Sequence, residues 1–184
     1  MLEKINVALI YGSVRDGRFC DTVAGWVRRR LESDQRFAVE TVDPLALPAE
    51  SAPPGFGDRL GRADAFIVVT PEYNHSYPAA LKSLIDSIKR EWQSKPVGFV
   101  SYGGVSGGLR AVEHLRLVFA ELHAVTLRDT VSFANPWNRF QPDGTLNDGR
   151  DAEDAMARQL AHLEWWARAL KNARAAQPYE TIAA

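Results

Sequence analysis

The chain has 184 residues, enough for one domain with a sizeable core, and 46% of them are apolar, which excludes extensive disorder. A formal net charge of −1, with both signs dispersed, gives no nucleic-acid stripe and no membrane-seeking face. Nor is there an apolar stretch of about 18 residues to cross a bilayer.

The chain starts MLEKINVALIYG, with charges close to a short apolar run, and reads as a first strand rather than a signal peptide. That strand, Ile5–Tyr11, stops at Gly12-Ser13. Phe19–Ser33 follows with Val23, Trp26, Val27 and Leu31 at helical spacing and three arginines near its C-terminal end, where the helix dipole favours cations. Phe37–Val42 is a second strand, and a Pro-rich loop runs to Pro54. Gly55–Gly61 is a short helix or turn. AFIVVT, Ala65–Thr70, is a third buried strand. Ala79–Arg90 is a helix, Pro96–Ser101 a fourth strand, Leu109–Leu122 a helix and Thr126–Val131 a fifth strand. Asp151–Ala173 is a long final helix carrying Met156, Leu160, Leu163 and Trp166, and residues 177–184 form a loose tail to a domain spanning 1–176.

Near-continuous apolar strands alternating with helices mean a parallel sheet covered on both faces. Five strands suit an α/β three-layer sandwich of flavodoxin-like order 2-1-3-4-5. Such sheets bind ligands beyond the carboxyl ends of their strands, so three loops matter. GSVRDGRFC, Gly12–Cys20, joins a strand to a helix start, where free amides and the dipole favour an anion. Ser13, Arg15 and Arg18 add a hydroxyl and two positive charges, and a phosphate is the natural guest. The loop has neither Walker A nor G-x-G-x-x-G spacing. Cys20, the single cysteine, excludes an internal disulfide and suits the cytoplasm. It lacks the arginine six residues on that a cysteine-based phosphatase needs, that position being Trp26, and reads as a small buried side chain.

PEYNHSYP, Pro71–Pro78, is bounded by prolines that restrict its backbone. Tyr73 offers a ring, and Asn74 with the local amides offers edge hydrogen bonds, which suits a flat heterocycle. His75 reads as an exposed or interface histidine. SYGGVSGGLRAV, Ser101–Val112, has four glycines that allow close backbone approach to a ligand.

Together, GSxRxxR, PEYNHSYPxxLKxxID and SYGGxSGGLRAxxxLR resemble the NADPH-dependent FMN reductase family of flavodoxin-like quinone, azo-dye and chromate reductases, over about Val7 to Leu146. The second motif is the specific one. The resemblance implies that Ser13, Arg15 and Arg18 take the FMN phosphate, with backbone around Phe19 and Cys20 capping it. It implies that Pro71, Glu72, Tyr73 and Asn74 line the isoalloxazine, and that Ser101, Gly103 and Gly104 approach its other edge with Ser106 nearby. Many relatives have serine and asparagine where this chain has Arg18 and Cys20. The resemblance further implies a ping-pong cycle: NADPH or NADH delivers hydride to the flavin, and a small acceptor (quinone, free flavin, azo compound or metal oxyanion) then takes the electrons. No side-chain catalyst and no metal are expected. A homodimer or homotetramer is, with Trp92, Trp137, Trp165 and Trp166 supplying interface. A flavodoxin-type electron carrier or a flavin-dependent redox-sensing protein is the alternative, although carriers tend to be strongly acidic and this chain is near neutral.

Overall fold

The computed structural model describes residues 3–47 and 53–182. Five parallel strands form one sheet: β1 Ile5–Tyr11, β2 Phe37–Val42, β3 Ala65–Pro71, β4 Pro96–Gly103 and β5 Val125–Ala134. Their order is β2-β1-β3-β4-β5, as expected for a flavodoxin-like fold. Five helices connect and cover them: α1 Cys20–Ser33, α2 Phe56–Gly61, α3 Ala79–Asp86, α4 Leu109–Glu121 and α5 Arg150–Ala176.

The pleat sorts the side chains into two cores. Val7, Leu9 and Tyr11 face one side, with Trp26 and Leu31 of α1 and Met156, Leu160 and Leu163 of α5. Ala8 and Ile10 face the other, with Phe56 and Leu60 of α2, Leu81 and Ile85 of α3, and Leu115 and Phe119 of α4. Every residue of β3 is buried, which is why its sequence is unbroken by charged groups. No helix among the described residues is long and apolar enough to cross a membrane.

Three expectations need correction. Helix α3 stops at Asp86 rather than Arg90, because side chains intercept its last carbonyls. Trp92 Nε1 donates to the Ile85 carbonyl at 3.0 Å, and the Lys89 amide turns to the Glu91 carboxylate instead. Trp92 is therefore a fully buried core residue and supplies no interface. On α5 the core position after Leu163 belongs to Ala167, while Trp165 and Trp166 lie outside, their rings edge-to-face at 5.0 Å. The chain beyond Ala176 is not loose at Tyr179, which starts a short 3₁₀ turn and whose hydroxyl meets His123 Nδ1 at 2.8 Å. Residues 48–52 of the Pro-rich loop and 183–184 of the tail lie outside the described residues.

β5 is three residues longer at its C-terminal end than its apolar pattern suggests, and is irregular. Its register against β4 slips between Val97 and Phe99, leaving Leu127–Asp129 as a bulge. Two side chains satisfy that bulge: Arg116 donates to the carbonyls of Leu127 and Arg128, and Gln159 Nε2 to those of Phe99 and Asp129. At the opposite edge of the sheet, Arg59 donates to the Thr41 carbonyl of β2 at 2.7 Å.

Candidate functional site

The strand order reverses between β1 and β3, and the loops after β1, β3 and β4 meet at their carboxyl ends. Gly12 lets the first two lie close. Its amide donates to the Val69 carbonyl at 2.8 Å, and a Cβ there would sit 2.6 Å from that oxygen. Ser13 is fully buried; its Oγ lies 2.8 Å from the Tyr73 hydroxyl and accepts from the Arg15 amide at 3.3 Å. The Arg15 guanidinium stacks on the Tyr73 ring, 4.1 Å from its centroid. Helix α1 opens at Phe19 with no side chain capping it, so its first amides keep their donors for an anion. Phe19 itself packs on Tyr102 and Phe140, with ring centroids 6.2 and 5.8 Å away.

Arg18 does not join this group. Nε donates to Asp21, Nη1 to the Ser13 carbonyl and Asp43, and Nη2 to Asp43, and only 6% of the side chain is exposed. With all three nitrogens engaged, the guanidinium has no direction left in which to grip a phosphate. The expectation that both arginines clamp the anion is revised accordingly: Arg15 is positioned to do so, and Arg18 braces the loop from behind. Hydrogen bonding from Arg18 holds the Asp43 carboxyl below its ordinary range. Cys20 is fully buried, and burial pushes its thiol up, away from nucleophilic use. Only its backbone faces the site's chemistry.

The loop after β3 is a two-residue hairpin. Tyr73 and Ser76 exchange both backbone hydrogen bonds, at 2.8 and 3.0 Å, and Asn74 and His75 between them have φ of 50° and 67°. Two positive φ values in succession mark a type I′ turn, and Asn at its first position suits that conformation. The turn leaves the amides of Asn74 and His75 without backbone partners among the described residues. Pro71 closes β3, buried, and Pro78 caps the start of α3.

Glu72 points away from the turn and into the third loop. Its carboxylate accepts from Ser106 Oγ at 2.7 Å, from the Arg110 amide at 3.2 Å and from Arg110 Nη1 at 2.8 Å. Burial works to raise this carboxyl, but those hydrogen bonds outweigh it and hold it below the ordinary value. Glu72 thus serves as a built-in anion at the start of α4. Ser101 Oγ is likewise committed, donating to the Gly107 carbonyl at 2.9 Å. Neither Ser101 nor Ser106 has its hydroxyl aimed outward. What remains for a ligand is backbone at Gly103 and Gly104, and Gly104 has open space where a side chain would be.

Sequence reasoning missed Asp43, Asn135 and Arg110. Asp43 precedes Pro44, and Asn135 precedes Pro136, both marked turn dipeptides. Asn135 takes φ 47° and donates its amide to the Gly103 carbonyl at 2.8 Å, fixing the glycine loop from β5.

Residues 5–138 match the family model described as NADPH-dependent FMN reductase. A curated NAD(P)H-dependent FMN reductase of Schizosaccharomyces pombe is 38% identical over 120 residues, 56% of this chain and 60% of that protein, so the match spans somewhat less than two thirds of the relative's length. One of Pseudomonas aeruginosa is 30% identical and covers 94% of this chain and 100% of its own. A flavoenzyme NAD(P)H:(acceptor) oxidoreductase of Paracoccus denitrificans shares the fold, with TM-score 0.72, 24% identity and coverage of 89% of this chain and 98% of the other. On its motifs, its strand order and a family match over most of its length, the chain belongs to the NADPH-dependent FMN reductase family of oxidoreductases.

Proposed function

We propose that this chain binds FMN across its three loops and passes electrons from NADPH or NADH to a small acceptor such as a quinone, a free flavin, an azo compound or a metal oxyanion. The observation that carries the reading is the joining of the loops by Ser13–Tyr73 and Glu72–Ser106 over an open glycine backbone. The residues fit the cofactor part by part. An uncapped α1 start and Arg15, which has no ion-pair partner among the described residues, match a phosphate monoester. The free amides of the Asn74–His75 turn and the backbone of Gly103–Gly104 match the hydrogen-bonding rim of a planar ring.

Bound flavin supplies the hydride acceptance and two-electron transfer that side chains cannot. The chain's task is then placement. Arg15 and the α1 amides fix the phosphate, the Tyr73–Ser76 turn sets the plane of the ring, and the Glu72 brace keeps the glycine loop at one distance from it. The carboxylate nearest the site, Glu72, is committed to Ser106 and Arg110 and is not free to take a proton. A ping-pong cycle fits a single binding face used in turn by donor and acceptor. Exposed Trp137, Trp165 and Trp166 support assembly into a homodimer or homotetramer.

The test is direct. Protein saturated with FMN should retain it through gel filtration and lose its visible flavin absorbance on anaerobic addition of NADPH. Double-reciprocal plots with a quinone acceptor should be parallel. Protein that retains no flavin would overturn the reading, and intersecting lines would overturn the ping-pong order.

A further inference from the structure

One polar side chain interrupts the apolar face that α5 turns to the sheet. Gln159 stands among Met156, Leu160 and Leu163 and has no exposed surface. Glutamine is seldom so buried unless its amide is used. Nε2 donates to the Phe99 carbonyl of β4 at 2.8 Å and to the Asp129 carbonyl of β5 at 3.0 Å, so one nitrogen spans both strands at their break in register. Oε1 has no hydrogen-bond partner among the described residues, a cost that an apolar side chain of the same length avoids. Gly98 belongs to the same arrangement, since a Cβ there would lie 3.3 Å from Gln159 Cδ. One turn further along α5, His162 Nδ1 lies 2.8 Å from the Asp129 carboxylate.

The break decides what lies beyond it. From Val97 to Phe99 β4 advances by two residues, while β5 advances by four, from Thr126 to Thr130. An even slip leaves every later side chain of β5 on its own face of the sheet, so alternation alone does not specify it. Past the slip, Gly103 pairs with Ala134. That pairing lets β5 hold the glycine loop at two points. Asn135 donates its amide to the Gly103 carbonyl at 2.8 Å, and Ser132 Oγ donates to the Gly107 carbonyl at 2.9 Å. Without the two extra residues Gly103 would stand opposite Ser132, and both contacts would miss by roughly 6–7 Å along the strand. We infer that Gln159 is a positioning residue for the redox site: it fixes the register through which β5 sets the glycine loop against a bound flavin. Gln159 itself touches no ligand. The consequence for electron transfer rests on the flavin reading; the link from Gln159 to the loop does not.

Gln159→Met removes both donated bonds and keeps nearly the same length. Leu31→Ala, buried in α1 on the same side of the sheet, is the control for lost stability alone. Amide exchange is read first, on flavin-free protein, with the buried Leu9 amide of β1 as the internal reference. In Gln159→Met the Asn135 amide should exchange about tenfold faster relative to Leu9, while Leu31→Ala should move the two amides together. FMN titration follows. Affinity should fall by about three- to tenfold in Gln159→Met, and the visible absorption maximum of the bound flavin should shift. Neither should change in Leu31→Ala. Gln159→Asn keeps both donors on a shorter arm; should the Met variant not fold, it should show the same pattern at about threefold. Asn135 exchange that tracks Leu9 in the Gln159 variants would overturn the assignment. So would FMN affinity and spectrum no more altered than in Leu31→Ala. Failure of the flavin reading looks different: the wild type would retain no FMN, while the Asn135 amide would still respond to Gln159.

Discussion

The hydroxyls of Ser13 and Tyr73 meet at 2.8 Å across 60 residues of sequence, joining the loop after β1 to the loop after β3. Each comes from a motif that would be read separately. The bond makes them one surface, because it fixes the Tyr73 ring on which Arg15 rests. Tyr73→Phe, harmless if the ring alone mattered, should loosen both loops. A neutral hydrogen bond contributes about 0.5–1.5 kcal/mol, so FMN affinity should drop by about three- to tenfold. A double-mutant cycle with Ser13→Ala, read by FMN titration, should show the two losses to be non-additive. Full additivity would mean the hydroxyls act independently.

Arg15 and Arg18 should separate cleanly. Arg15→Ala should weaken FMN by about 10- to 100-fold, the range for one charge-assisted bond, and leave riboflavin nearly unaffected. Arg18→Ala should instead destabilise the fold by about 2–3 kcal/mol, since it strands Asp43 and releases the Ser13 carbonyl. Urea unfolding and paired FMN and riboflavin titrations on both variants check the split.

The Asp43–Arg18 pair also sets an acid limit. The folded-state carboxyl of Asp43 lies below its unfolded value of about 3.9, so its contribution is complete above that value. The contribution is lost as pH falls through the lower, folded value. Stability followed from pH 6 to 2 should fall in the acid limb, and Asp43→Asn should make that limb shallower while lowering stability at pH 6.

Glu72 braces the glycine loop from the turn. Glu72→Gln removes the charge that Ser106 and Arg110 converge on. Amide exchange over Gly104–Arg110 should accelerate, and FMN should bind about tenfold more weakly. Unchanged exchange would show that Asn135 alone holds the loop.

Gly108 has φ 87°, and a Cβ there would fall 2.8 Å from both Ser101 Cβ and the Tyr102 amide nitrogen. Gly108→Ala combines a left-handed backbone with a clash against β4. Chemical denaturation should show a loss of about 2–5 kcal/mol.

The sheet was legible because its strands are nearly pure runs of apolar residues. Val68 and Val69 could hardly stand anywhere but in a strand buried on both faces. Strand order and the three loops followed from that alternation. The direction of each polar side chain did not. Arg15 and Arg18 look equivalent in the sequence, and only the arrival of Asp43 from the loop after β2 separates them. Ser101 and Ser106 stand in the motif expected near the ring edge, yet the glycine loop needs their hydroxyls to satisfy its own Gly107 carbonyl and the Glu72 carboxylate. The end of α3 was hidden for a similar reason: the indole of Trp92 returns from six positions beyond the helix to cap it.

The arginines at the two margins of the sheet have a consequence for how copies of the chain can meet. An unpaired outer strand is a template on which a foreign strand can continue the ladder. On β5 the carbonyls of Leu127 and Arg128 are already held by Arg116, and on β2 that of Thr41 is held by Arg59. The bulge adds a break in spacing that a straight incoming strand cannot match. Both margins are thereby less open to an added strand, which works against fibrillar growth from either edge.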